Sequence, residues 1–236
     1  MITLYCKTYA RVLWIAAILV GYWLLMRYVP VPGYAVPGRD IPFLHPNANL
    51  AAYLDRKLMM GHLYEGTRDP EGVLSTLPAI ATTLCGVLTG EWLGSIHSRK
   101  QKMVGMLALG AAGLIAGEVW SVWFPINKNL WTSSYVLFTA GCALLCLAIC
   151  YWITDIRQYR GWLTKSFIIF GTNAIAAYVL SELVGLPFRW LDYIFQLPFA
   201  RAVSPAMASL LYSLTIVGLC FLPVWWMYRR KIFLKV

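Results

Sequence analysis

Apolar residues gather in six long blocks, at 12–28, 73–93, 103–123, 133–153, 164–184 and 204–228, each closed by a polar or basic segment. A helix needs about 20 mostly apolar residues to cross bilayer hydrocarbon. The pattern therefore predicts an all-α polytopic integral membrane protein of about six transmembrane helices, with 1–236 as a single transmembrane domain. Lys7 and Arg11 before the first block, with Ala35 beyond it, imitate a secretory signal. The uncharged run is long for a signal core, however, and Arg27–Tyr28 reads as an interfacial anchor, so a true span is the better reading.

Between the first two blocks lies a long polar loop, 29–72. Pro30, Pro32, Pro37, Pro42 and Pro46 make its first part extended and turn-rich. "NANLAAYLDRKLMM" then sets Leu50, Leu54 and Leu58 on one helical stripe, with Asn47 or Asn49 as a cap, which predicts a short helix lying on the membrane surface. At the loop's end, Asp69 suits a helix N-cap, Pro70 the first helical position and Glu71 the positive end of the helix dipole.

Loop charge gives the orientation. The N-terminus, 94–102, 154–165 and 229–236 carry most of the basic residues, while the short opposite loops hold only Lys128, or Arg189 with Arg201. Basic short loops stay cytoplasmic, so both termini are expected in the cytoplasm and 29–72 outside.

Composition agrees. Hydrophobic residues make up 60% and charged residues 13%, with mean hydropathy +0.64. A soluble domain carries roughly twice that charged fraction. The formal charge of +10 would suggest nucleic acid in a soluble protein. Here it collects between apolar blocks, so membrane lipid is the expected partner and nucleic acid is not. The six cysteines include no CxxC pair. Cys142, Cys146 and Cys150 form a helical stripe better read as small packing residues than as ligands, and no metal site is expected. No HExxH, GxSxG or Walker-type loop occurs.

The remaining chemistry lies in polar residues at unusual depths. An acidic residue within hydrocarbon costs about 2.5–3.5 kcal/mol on insertion scales, which makes Glu118 and Glu182, both in the outer parts of their blocks, functional candidates. Glu91, near an inner end, reaches water or pairs with Arg99. Asn173 sits near mid-membrane, where an interhelical hydrogen bond is the plain explanation. It stands nine residues from Glu182, on the opposite face of a straight helix. In "FPINKNLWTSSY", Asn127, Lys128 and Asn129 make a turn and Trp131 a belt anchor, yet amides, an ammonium and an indole are also what a sugar pocket uses. His62 alone among the histidines has acidic neighbours close in sequence, although a loop histidine is more often a plain surface residue.

"YLDRKLMMGHLYEGTRDPEGVLSTLPAI", "FPINKNLWTSSYVL" and "FGTNAIAAYVLSELV", in this order and spacing, resemble the heparan-α-glucosaminide N-acetyltransferase family, including its bacterial members. The resemblance implies an enzyme in the bacterial inner membrane that takes acetyl from cytosolic acetyl-CoA to the amine of a glucosamine-type sugar outside. It implies cofactor contacts from Arg99, Lys100, Arg157, Arg160 and Lys165, whose other explanation is topology alone. It implies sugar contacts from Asp69, Asn127, Lys128, Asn129, Trp131 and Glu118. Glu71, Glu118, Glu182 and His62 are then candidates to take the amine's proton, and Asn173 and Lys128 to stabilise an oxyanion if packing brings them within about 3 Å of it. Family members carry a further N-terminal half with an Asp-x-x-Arg-Gly-type segment and the transfer histidine. This chain resembles the C-terminal half, so the missing half or a second copy is an expected partner, and His62 cannot inherit the transfer role. A sugar permease component and an inert membrane scaffold are the competing readings.

Overall fold

The computed structural model describes residues 7–34, 36, 39, 40, 42, 44–185 and 204–234. The expectations for Pro37, Arg189 and Arg201 lie outside the described residues. Regular structure among them is helical throughout, with no strand. The protein is an all-α polytopic membrane protein whose chain groups into two compact units, Met1–Arg157 and Gln158–Val236.

In the first unit, α1 (Thr8–Tyr28) packs on α3 (Thr76–Gly94) and α5 (Ser133–Tyr151), and α2 is the short helix Leu50–Leu58. α4 (Arg99–Ser121) pairs with α5 as an extensive antiparallel hairpin, and α5 runs on into a π-helical turn, Trp152–Ile156. Glycine makes that hairpin close. A Cβ on Gly141 would stand 2.6 Å from the Leu114 nitrogen, and one on Gly117 2.6 Å from the Phe138 nitrogen. In lipid, where apolar burial does not drive helix pairing, such small-residue seams let backbones approach. α4 starts sharply because Ser98 and Gln101 form a capping box.

The polar end of the α1–α3 contact is an ion pair between Arg11 and Glu91, with Thr8 Oγ1 donating to the same carboxylate. Arg99, the partner expected for Glu91, donates instead to the Asp155 carbonyl at 2.7 Å. Arg11 lies in the first turn of its helix, and its long side chain can reach the C-terminal end of α3, a route that sequence distance hides.

The second unit holds α6 (Trp162–Thr172), α7 (Ala174–Gly185) and α8 (Pro205–Arg229). The block expected as one straight span is broken: α6 and α7 meet at Asn173 with an 82° bend. α8 packs on both halves, with Phe170 against Phe221 at 5.4 Å between ring centres.

Among the described residues four helices are long and apolar enough to cross a membrane, α1, α4, α5 and α8, and the bent pair makes a fifth if it counts as one span. α3, expected as a span, is a 19-residue helix that threonines, glycines and Glu91 dilute below that measure.

Candidate functional site

The segment between α1 and α3 folds onto a core of Tyr22, Met26, Val31, Leu50, Ala51 and Phe124. α2 is capped by Asn49, whose side chain accepts from the Ala52 amide. The leucine stripe is only part of its buried face: Leu50 is buried and Leu54 packs against the core. Leu58 is 64% exposed, while Leu50, Ala51, Ala52 and Asp55 turn inward. Small residues let the helix sit close to the protein, so its apolar stripe is only partly used for docking.

That docking buries a carboxylate. Asp55 is 1% exposed, and its Oδ1 accepts the Val73 N–H at 2.9 Å. Gly72 presses against the same group so closely that a Cβ there would overlap the carboxylate. Burial raises the Asp55 pKa above its ordinary 3.8, the Val73 hydrogen bond partly offsets this, and the negative charge of Asp69 adds to the rise.

Asp69 does not cap the long helix. Its carboxylate accepts from the Tyr64 amide at 3.1 Å and the Glu71 amide at 2.9 Å, and its carbonyl accepts from Gly72, closing a single turn. α3 begins only at Thr76, after Ser75. The Asp-Pro pair does mark a turn, but the long helix does not start from it, because Gly72 must first tuck against Asp55. Arg68 pairs with Glu65, Arg56 donates to the Thr67 carbonyl at 3.0 Å, and Thr67 donates to Asn47 at 3.0 Å. These bonds hold 61–72 against α2.

Asp55, Arg68, Asp69, Ser75 and Asn129 line a narrow cleft, walled by Pro46 and Pro70. It encloses about 10 Å³, room for roughly one water. Of the residues expected to meet a sugar, it gathers Asp69 and Asn129. Asn127 is a turn staple, its Oδ1 accepting from Leu130 at 3.1 Å. Lys128 and Glu118 are exposed. Trp131 is no open platform: its Nε1 donates to Thr82 at 3.0 Å, and Tyr135 packs on its ring edge at 5.3 Å.

Glu71 and His62 are exposed at the surface of the same loop, with the His62 ring 3.3 Å from the Met60 carbonyl. Glu182 is exposed on α7. Asn173 is fully buried, and its amide is engaged at both ends. Nδ2 donates to the Ile232 carbonyl and Oδ1 accepts from the Leu234 amide, each at 3.0 Å. Of the basic candidates, Arg157 lies 5.0 Å over the Trp152 ring, Lys100 and Arg160 are exposed, and Lys165 stands beside the end of α8. Sequence reasoning missed Asp55, although two alanines one turn earlier on its face were a sign that this face would be buried. Among the described residues no three His, Cys, Asp or Glu converge as a metal site would require.

No family model matches the chain. It is 29% identical over 249 aligned positions to heparan-alpha-glucosaminide N-acetyltransferase of Homo sapiens, an alignment covering 93% of this chain and 36% of that protein. The Mus musculus enzyme of the same name is 29% identical over 244 positions, covering 91% and 36%. The chain thus spans about a third of the length of these curated relatives. The alignments take in nearly all of this chain, which is thus similar in sequence to the heparan-alpha-glucosaminide N-acetyltransferases over most of its own length.

Proposed function

We propose that this chain forms the acceptor-side portion of a transmembrane N-acetyltransferase, which moves acetyl from acetyl-CoA on the cytoplasmic side to the amine of a glucosamine-type sugar outside. The observation that carries the reading is the buried Asp55 carboxylate in the wall of the cleft, beside Asp69 and Asn129. An amine arrives protonated and must lose that proton before it attacks an acyl carbon. A desolvated carboxylate with a raised pKa is a suitable base, because its proton affinity moves toward that of the group it serves. Glu71 is exposed and has neither property. Asp69 and Asn129 offer acceptors and donors to sugar hydroxyls. The cleft has room for about one water, so sugar entry needs the 61–72 loop to swing away, with Gly61 and Gly66 at positive φ as its pivots.

Acetyl-CoA would find cations suited to its phosphates at the exposed Arg99, Lys100 and Arg157 of the first unit, or at Arg160 and Lys165 of the second. The group it supplies is an activated thioester acyl; the contribution of this chain is to hold the phosphates and to prepare the amine. The relatives are much longer, so turnover is expected of the chain together with the rest of such a fold, with both termini in the cytoplasm of a bacterial inner membrane.

The test is acetylation of glucosamine by the chain co-expressed with the remaining region of a family protein. Asp55→Asn should remove activity while Glu71→Gln leaves most of it. Full activity in Asp55→Asn would end the assignment of Asp55, and no acetylation by any combination would end the acetyltransferase reading.

A further inference from the structure

The second unit contains a cleft that the acceptor chemistry does not use. Lys165, at the end of the first turn of α6, Arg229, in the last turn of α8, and Lys231 just beyond it line a space of about 640 Å³ together with Trp225, Tyr228 and Phe233. Among the described residues no carboxylate lines it. Residues 158–236 hold only two acidic residues, Glu182 and Asp192, against eight basic ones.

The wall of this cleft is fixed in place. After α8 the chain turns back through Lys231 at φ +56°, with the Lys231 amide on the Tyr228 carbonyl at 3.1 Å and the Ile232 amide on Met227 at 2.9 Å. Asn173 then clamps both neighbours of Phe233, the Ile232 carbonyl and the Leu234 amide. Phe233 packs edge-on to Tyr228 at 6.3 Å, and the Arg229 guanidinium lies 4.9 Å over the Trp225 ring.

Helix-end chemistry explains part of this arrangement. Arg229 sits well at the negative end of α8. Lys165 does not fit that account, because it stands near the positive end of α6, where the dipole favours an anion, and the Gly161 cap offers no side-chain acceptor to the first-turn amides. Three like charges around one concavity repel one another and are relieved by a bound anion. Planar guanidinium and flexible ammonium groups are what phosphate oxygens select, and aromatic walls accept a base or an acyl chain.

We propose that this cleft binds a phosphate-bearing ligand, the phosphate between Lys165, Arg229 and Lys231 and the apolar part along Trp225, Tyr228 and Phe233. The ligand is a nucleotide phosphate or the headgroup of an anionic phospholipid. In its nucleotide form the proposal rests on the acetyltransferase reading, which already places Lys165 among the candidates for the acetyl-CoA phosphates; in its lipid form it stands whether or not the chain transfers acetyl.

The experiment uses the full chain in nanodiscs. One arm titrates adenosine 3′,5′-bisphosphate calorimetrically in phosphatidylcholine discs; the other counts phosphatidylglycerol retained from mixed discs by native mass spectrometry. The wild-type chain should bind one probe, more weakly as salt rises. Lys165→Gln/Arg229→Gln/Lys231→Gln should lower that binding at least tenfold, and Lys165→Gln alone should lower it several-fold. A charge-matched control, Lys7→Gln/Arg39→Gln/Lys57→Gln, should bind as wild type, and circular dichroism should show unchanged helix content in every variant. Loss in the first arm identifies a nucleotide, and loss in the second a lipid headgroup. The proposal falls if the wild-type chain binds neither probe, or if the control loses as much as the triple variant.

Discussion

Asp55 and Asn173 do the same mechanical job in different units. Each is buried to within 1% of complete, and each holds an irregular segment to a helix through backbone hydrogen bonds. Asn173 does it with a neutral amide whose donor and acceptor ends both meet the chain. Asp55 does it with an ionisable group, and burial pushes its pKa up. A neutral amide latches a segment without the cost of desolvating a charge. Where a carboxylate stands in such a place, latching alone does not explain the choice of side chain, and the proton transfer proposed above would.

The largest effect expected from this contrast is on turnover. In the co-expressed full-length context, Asp55→Asn keeps an acceptor for the Val73 amide, so the fold should hold while glucosamine acetylation drops by about 10²–10⁴. Unchanged turnover would make Asp55 a latch of the same kind as Asn173.

Next comes the latch itself. Asn173→Ala leaves the Ile232 carbonyl and Leu234 amide without their partner, at roughly 1–3 kcal/mol for each group that stays buried. Unfolding in a graded denaturant series should show that loss, along with faster amide exchange at 232–234. An unchanged midpoint would mean that water replaces the amide at no cost.

Gly72→Ala probes the Asp55 latch sterically. The new Cβ would occupy the carboxylate's position, and overpacking of this sort costs about 1–3 kcal/mol. The thermal midpoint should fall in the wild-type background, and protease cleavage within 61–72 should speed up. A neutral outcome would show that Asp55 can swing aside, which would weaken its claim to a fixed position.

The smallest effect is a pH slope. The folded state holds the Asp55 proton more tightly than the unfolded chain does. Its contribution to stability is therefore full below 3.8 and declines as pH rises through the higher folded pKa. Asp40, lowered by its hydrogen bond to Arg39, acts in the opposite sense, since its contribution is lost as pH falls. Subtracting the Asp55→Asn pH–stability curve from that of the wild type isolates the Asp55 contribution, which should slope downward from about pH 4. A flat difference curve would mean Asp55 titrates normally.

Much of the helical architecture was legible because apolar runs of sufficient length leave the chain few alternatives in lipid. The breaks were not. Nothing local in "FGTNAIAAYVL" separates a straight helix carrying a polar side chain from a bend of 82°, because what decides is the distant tail 232–234, presenting a carbonyl and an amide. The candidate site at the Asp55 cleft was half legible. Asp69 and Asn129 were found as polar residues in turns, while Asp55 was hidden in "LAAYLDRKL", where the leucine spacing marks one edge of the buried face, with Leu50 buried and Leu54 on the core, but not the side that holds Ala51, Ala52 and Asp55. Small residues won that face because close approach, rather than apolar area, is what lets α2 dock. Trp131 showed the converse: an indole that composition reads as a free platform has its N–H committed to Thr82.

The bend at Asn173 also bears on the membrane around the protein. α6 has 11 residues, which at about 1.5 Å per residue is roughly 16 Å, about half the hydrocarbon thickness of a typical bilayer. α8 beside it has 25 residues, enough to reach from one interface to the other. A unit that sets a half-length helix against a full-length one cannot present an even apolar girdle, so acyl chains must thin or tilt along one side of it. Lipid chain length then becomes a variable of this protein's behaviour. Longer chains stretch the side where α6 ends, and the strain falls on the joint that one asparagine closes.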